Sequence, residues 1–262
     1  MQWSVQLPEA TPPRRVMTSD GLALATYEWG EPDAPTVVLV HGFASGALLN
    51  WHASGWVRDL TRAGFHVVAL DQRGHGASAK PHDPAAYSLA RLVDDLLTVL
   101  DAYMLGEVAL VGYSLGARVS WQACLELPER VAAAVLGGIP EGDTLTTFQL
   151  DEARAHIADG TPVTERVTLA YLTMAAGIPG NDLSALVSLV DGMRGGPGPD
   201  AAHPPTQPYL VATGERDPII QGSRALAAAS PHGRFVEIPG RHHFNAPTSR
   251  VFRDAAVAFL TE

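Results

Sequence analysis

The chain has 262 residues, 46% of them hydrophobic and 18% charged, the balance of a globular domain with a large core, and the length suits one domain or one domain with an insertion. A formal net charge of −10 leaves no basic surface to neutralise a row of phosphates, so a nucleic-acid partner is excluded. With one cysteine, Cys124, there is no disulfide framework. That residue falls in the apolar pattern of a helix and reads as core packing. No apolar run reaches the length of a membrane span. The start, Met1-Gln2-Trp3-Ser4-Val5-Gln6-Leu7-Pro8, lacks the basic-then-apolar order of a signal peptide. The expectation is a cytoplasmic protein acting on a small molecule, away from membrane and nucleic acid, as a monomer or a homodimer.

Residues 14–17 and 22–29 read as two strands around Ser19-Asp20-Gly21, a hairpin at a sheet edge. Residues 36–40 form a β-branched apolar run, as in a strand covered on both faces. It runs into His41-Gly42-Phe43, and a helix through Trp56, Val57 and Leu60 stops at Gly64. The strand at 66–70 closes on Asp71-Gln72-Arg73-Gly74-His75-Gly76. Leu89, Leu92, Val93, Leu96, Leu97, Leu100, Tyr103 and Met104 then mark one continuous helical stripe. The strand from Val108 and a helix ending before Pro128 follow, then a strand at 131–139.

The alternation breaks from Glu141 to about Pro205, where three helical segments (148–158, 163–176 and 183–193) run into Gly195-Gly196-Pro197-Gly198-Pro199. It resumes with strands at 209–213 and 235–238, separated by a helix near 225–229, and a last helix at 249–260. Eight strands alternating with helices predict an α/β fold, a mostly parallel sheet with helices on both faces. Its core would be residues 1–140 and 206–262. Residues 141–205 would be a small helical cap over the C-terminal strand ends, where open α/β sheets place their sites.

The chemistry centres on Gly112-Tyr113-Ser114-Leu115-Gly116, between the strand from Val108 and a helix. Gly-x-Ser-x-Gly in that setting is a nucleophile elbow, a turn so sharp that the serine is strained and its two flanking glycines must be small. A serine hydroxyl needs a base to take its proton and donors to hold the oxyanion that forms. The free N–H of Leu115, opening a helix, is one donor, and the N–H of Phe43 in the loop after the third strand is the other. The base should follow the last strand, where His242 and His243 stand side by side. An acid should lie between serine and histidine; Asp217, in the turn after strand 209–213, is favoured over Glu215 and Glu141.

This set resembles the α/β-hydrolase fold family, in its small branch with a helical cap, on the His41-Gly42-Phe43 loop, the Asp71-to-Ser78 loop, the elbow, Gly214-Glu215-Arg216-Asp217 and Pro239-Gly240-Arg241-His242-His243. The resemblance implies a triad of Ser114, Asp217 and His243, with His242 standing where relatives commonly carry glycine. It also implies that the Asp71 loop is scaffolding, with Asp71 and Arg73 as a structural ion pair.

Serine at 114 removes the epoxide hydrolase and haloalkane dehalogenase branches, which need a carboxylate nucleophile. No metal-ligand spacing and no nucleotide cradle is present, so neither metal nor cofactor is expected. The reading is a carboxylic ester hydrolase working through an acyl-enzyme on a small to medium, mainly apolar substrate. The alternatives are the same apparatus on a lactone, a thioester, a carbon–carbon bond or peroxide, and a non-catalytic receptor. Phe148, Tyr171, Leu172, Met174, Ile178, Leu183 and Leu186 would line the chamber if they face inward, and otherwise seat the cap.

Overall fold

The computed structural model describes residues 12–262; the reading of residues 1–8 lies outside them. Eight strands form one sheet in the order β1-β2-β4-β3-β5-β6-β7-β8. β1 (Arg14–Met17) and β2 (Ala23–Trp29) pair antiparallel, and β2 lies antiparallel against β4 (His66–Asp71). From β4 through β3 (Thr36–Val40), β5 (Val108–Tyr113), β6 (Val131–Gly137), β7 (Tyr209–Gly214) and β8 (Gly233–Ile238) every pairing is parallel. The predicted mostly parallel eight-stranded sheet is the observed one. β4 is buried along its whole length and β3 at all but its first residue, which is why their sequences show apolar runs rather than alternation.

Helices cover both faces. On one, α1 (Trp56–Arg62) and α8 (Arg250–Leu260) pack Trp56 edge-on to Phe252 at 4.7 Å, and the Trp56 indole N–H donates to the Pro247 carbonyl (2.8 Å). On the other lie α2 (Leu89–Ala102), α3 (Leu115–Glu126) and α7 (Ile220–Ala228). α2 starts where the Ser88 hydroxyl accepts from the Arg91 N–H (3.1 Å). It buries Leu89, Leu92, Val93, Leu96, Val99 and Leu100, each contributing roughly 1.5–3 kcal/mol over an exposed position. Cys124 lies in this core, and burial pushes its thiol up to about 12.

Between β6 and β7 stand α4 (Leu150–Asp159), α5 (Arg166–Ala176) and α6 (Leu183–Met193). Glu165 and Asp182 cap the last two by accepting main-chain N–H bonds of their first turns. The expected chamber-lining residues divide into three groups. Phe148 and Leu172 join the insertion's own core. Leu183 and Leu186 pack on Phe43 and Ala44, seating the insertion on the loop after β3. Tyr171, Met174 and Ile178 face Ser114 across a cavity.

The expected Asp71–Arg73 ion pair is not formed. The Asp71 carboxylate accepts the N–H groups of Ala47 (2.7 Å) and Ala77 (2.8 Å), tying two loops together. Arg73 turns the other way, making two 2.7 Å bonds to Asp95 on α2 and a 2.9 Å bond to Asp20 in the first hairpin. Two residues apart after a strand end, the side chains diverge, and each meets its nearest fitting partner. Both serve the scaffold, Asp71 through Ala47 and Ala77 and Arg73 through Asp20 and Asp95.

Candidate active site

Ser114 ends β5 and opens α3 with φ 52° and ψ −110°, a conformation costing an L-residue on the order of 1–3 kcal/mol. The glycines around it allow the sharp turn. A Cβ on Gly112 would lie 2.4 Å from the Gly116 carbonyl oxygen, and one on Gly116 would lie 1.9 Å from that of Val40. The strand–turn–helix geometry expected from the pentapeptide is therefore present, with the Ser114 hydroxyl above the sheet edge.

His243 reaches that hydroxyl from the loop after β8. Its Nε2 is 2.9 Å from Ser114 Oγ and its Nδ1 is 2.8 Å from Asp217 Oδ2. Asp217, in the turn after β7, is 2% exposed, and its other oxygen accepts the Ile219 N–H (3.2 Å). His242 points to solvent, where its Nδ1 accepts the Phe244 N–H (3.3 Å). Glu215 braces the β8 turn by accepting the Gly240 N–H (2.7 Å). Tyr113, buried beneath, donates its hydroxyl to the His243 carbonyl oxygen. In this order the imidazole can take the serine proton while the carboxylate fixes its tautomer and stabilises the imidazolium.

Phe43 lines the same cavity as Ser114, and Leu115 follows Ser114 as the first residue of α3. Neither main-chain N–H donates to an acceptor among the described residues, which leaves both free for an anionic oxygen. Two histidines hold the Phe43 loop from below. His41 Nε2 accepts the Gln72 N–H (3.0 Å) and its Nδ1 donates to the Gly42 carbonyl (2.7 Å). His75 Nε2 accepts the Ala44 N–H (3.0 Å) and its Nδ1 donates to the Arg73 carbonyl (3.1 Å). Each ring uses both nitrogens as a neutral imidazole.

Both are fully buried, and burial holds both pKa values below the ordinary 6.5, with His41 itself a second depressing influence on His75. The unfolded chain takes up these protons near 6.5 and the folded chain does not. Stability is therefore full above that pH and falls as the pH drops below it. Both rings act in the same sense, so their losses add as the pH falls. Urea melts between about pH 7.5 and pH 5 read that loss directly, and an unmoved midpoint would contradict the assignment.

A cavity of about 280 Å³ opens over Ser114, walled by Phe43, Leu49, Tyr171, Met174, Ile178 and Phe244. Tyr171 stands edge-on to Phe43 (5.6 Å) and to Phe244 (6.1 Å), so three aromatic rings frame the space beside His243. A second cavity, of about 260 Å³, shares Ser45, Leu49 and Ile178 with it and runs toward Ala77 and Pro179. None of the arginines Arg154, Arg166 and Arg194 of residues 141–205 lines either cavity. Arg154 pairs with Asp191, Arg194 donates to the Phe148 carbonyl, and Arg166 is exposed. No helix among the described residues is long and apolar enough to cross a membrane.

The chain belongs to the alpha/beta hydrolase fold family, whose model matches residues 35–171. Epoxide hydrolase A of Mycobacterium tuberculosis is 40% identical over 129 residues, 49% of this chain and 39% of that protein. The chain thus spans well under two thirds of that relative's length. Among solved structures, a hydrolase from Pseudomonas aeruginosa PA01 superposes with a TM-score of 0.77 at 26% identity, covering 95% of this chain and 98% of that one. The enol-lactonase from Burkholderia xenovorans LB400 also reaches 0.77, at 21% identity over 95% and 100% of the two chains, a likeness of fold. A hydrolytic role accords with this membership.

Proposed function

We propose that this chain is a serine hydrolase that cleaves a small to medium, mainly apolar carboxylic ester through an acyl-enzyme. The observation that carries the reading is the unbroken hydrogen-bonded series from Asp217 through His243 to Ser114 at the floor of an apolar cavity. Ser114 Oγ attacks the ester carbonyl carbon as His243 Nε2 takes its proton. The tetrahedral oxygen lies between the Phe43 and Leu115 N–H groups. As that intermediate collapses, His243 returns the proton to the departing alcohol. A water then attacks the acyl carbon with His243 again as base, and as the acyl–Oγ bond breaks His243 returns that proton to Ser114 and the acid leaves.

The site residues are thus Ser114, Asp217 and His243, with Phe43 and Leu115 as main-chain donors, and residues 141–205 act as the cap that walls the substrate. The epoxide hydrolase activity of the relative is not carried over. That branch needs a carboxylate nucleophile, and position 114 is serine. A lactone is an internal ester and falls under the same chemistry.

The test is a series of p-nitrophenyl esters from acetate to octanoate. A cavity of about 280 Å³ with apolar walls predicts that kcat/KM rises by up to about fourfold per added methylene, from about 0.8 kcal/mol each, until the chain meets the wall. No turnover by the folded protein, together with a Ser114 inert to a fluorophosphonate, would overturn the reading.

A further inference from the structure

Ala44 is fully buried and has a φ of +57°. It is the second central residue of the turn that Ser45 closes by donating its N–H to the Gly42 carbonyl (3.3 Å). A positive φ there ordinarily calls for glycine, and an alanine keeps it only where its surroundings over-determine it. Here both polar groups of Ala44 are held. Its N–H donates to His75 Nε2 (3.0 Å), a partner in the core. Its carbonyl accepts from the Asn181 side-chain amide (2.9 Å), which comes from the loop between α5 and α6. The same Nδ2 donates to the Ala175 carbonyl (3.1 Å) at the end of α5. Ala44, Ala175 and Leu186 then pack together, with Phe43 against them.

We infer that Asn181 is a positioning residue: through Ala44 it holds the turn that aims the Phe43 N–H at the reacting oxygen, so that the seating of the α4–α6 insertion sets the strength of the oxyanion site. The inference rests on the serine-hydrolase reading above. The core holds the N–H side of Ala44, whereas its carbonyl side is held by the long Ser45-to-Gly42 bond of the turn and by Asn181 from the insertion. Without Asn181 the alanine relaxes toward negative φ, the turn rotates, and the neighbouring Phe43 N–H leaves its line. The Leu115 donor, set by α3, and the His243–Asp217 pair are untouched by that movement.

The experiment compares wild type with Asn181→Asp, which keeps the size and exchanges the donor for an oxygen. With p-nitrophenyl acetate, kcat is expected to fall by about 10–100-fold, short of or equal to the loss of one whole oxyanion donor, while KM stays within about twofold. Affinity for phenylboronic acid, whose tetrahedral adduct on Ser114 uses the same donors, is expected to fall by the same factor as kcat. Asn181→Gln, which keeps an amide donor, should recover part of both losses. An unchanged kcat in folded Asn181→Asp, or a loss confined to KM, overturns the inference; Asn181→Ser carries the same test should Asn181→Asp not fold. A wild type inert toward esters and fluorophosphonate alike overturns the function reading instead, which separates the two failures.

Discussion

Replacing Ser114 by alanine is expected to lower ester turnover by roughly a million-fold, the loss seen when a triad nucleophile is removed and only oxyanion donors and binding remain. Stability should barely change, because alanine keeps a Cβ in the same φ 52°, ψ −110° conformation. Ser114→Gly separates the two quantities. Glycine tolerates positive φ without steric cost, so that variant should be equally inactive yet more stable than Ser114→Ala by about 1 kcal/mol or more. The strain at the elbow would then be visible as stability given up to present the hydroxyl. Turnover of p-nitrophenyl butanoate and urea melts of the three proteins read both predictions. Activity persisting in Ser114→Ala would move the nucleophile elsewhere and remove the basis for the acyl-enzyme. Equal stability of the two variants would remove the strain argument.

The sheet was legible in the sequence because each central strand is buried on both faces and so carries an uninterrupted apolar run. These runs end at His41-Gly42, Asp71, the Ser114 elbow and the turn of Asp217, while the loop of His243 follows the partly exposed edge strand β8. Chain order along a parallel sheet therefore carries the positions of the proposed site residues with it. The insertion was less legible. Phe148, Tyr171 and Leu172 all fall in predicted helical segments, yet Phe148 lies just before α4, Phe148 and Leu172 fill the insertion's own core, and Tyr171 faces Ser114. Amphipathic spacing marks a buried stripe without saying which neighbour buries it.

Polar pairings were the least legible. Asp71 and Arg73 are neighbours in sequence, and their true partners lie on Ala47, Ala77, Asp20 and Asp95. Asn181 had no signal at all, since its amide meets a main-chain carbonyl 137 residues away. Main-chain acceptors are present at every residue and leave no mark in a sequence. The positive φ of Ala44, which reveals that something must hold the turn, is likewise hidden behind a residue that ordinarily avoids it.

Gly116→Ala is expected to unfold most of the protein, and Gly106→Ala to leave it intact. A Cβ at 116 would lie 1.9 Å from the Val40 carbonyl oxygen, 2.5 Å from its carbon and 2.6 Å from the His41 carbonyl oxygen. All three atoms are main chain, so no rotamer change relieves the overlap; α3 must move away from β3. That movement loosens buried packing between the central strands and α3, and the cost belongs to the exceptional class above about 4–5 kcal/mol. Total stabilities of domains run at about 5–15 kcal/mol, which leaves little or nothing. Gly106 has ordinary φ and no atom within 4 Å of its added Cβ, so alanine there should be neutral or stabilising by up to about 1 kcal/mol through the unfolded chain. Urea melts of the two variants beside wild type measure the contrast, and a Gly116→Ala midpoint within error of wild type would mean that α3 does not pack on β3 as described. Should that variant fold by shifting α3, the Leu115 N–H shifts with the helix. Its kcat is then expected to fall by roughly 100-fold or more, as for a lost oxyanion donor, because one close approach of helix to strand both stabilises the sheet and aims the donor.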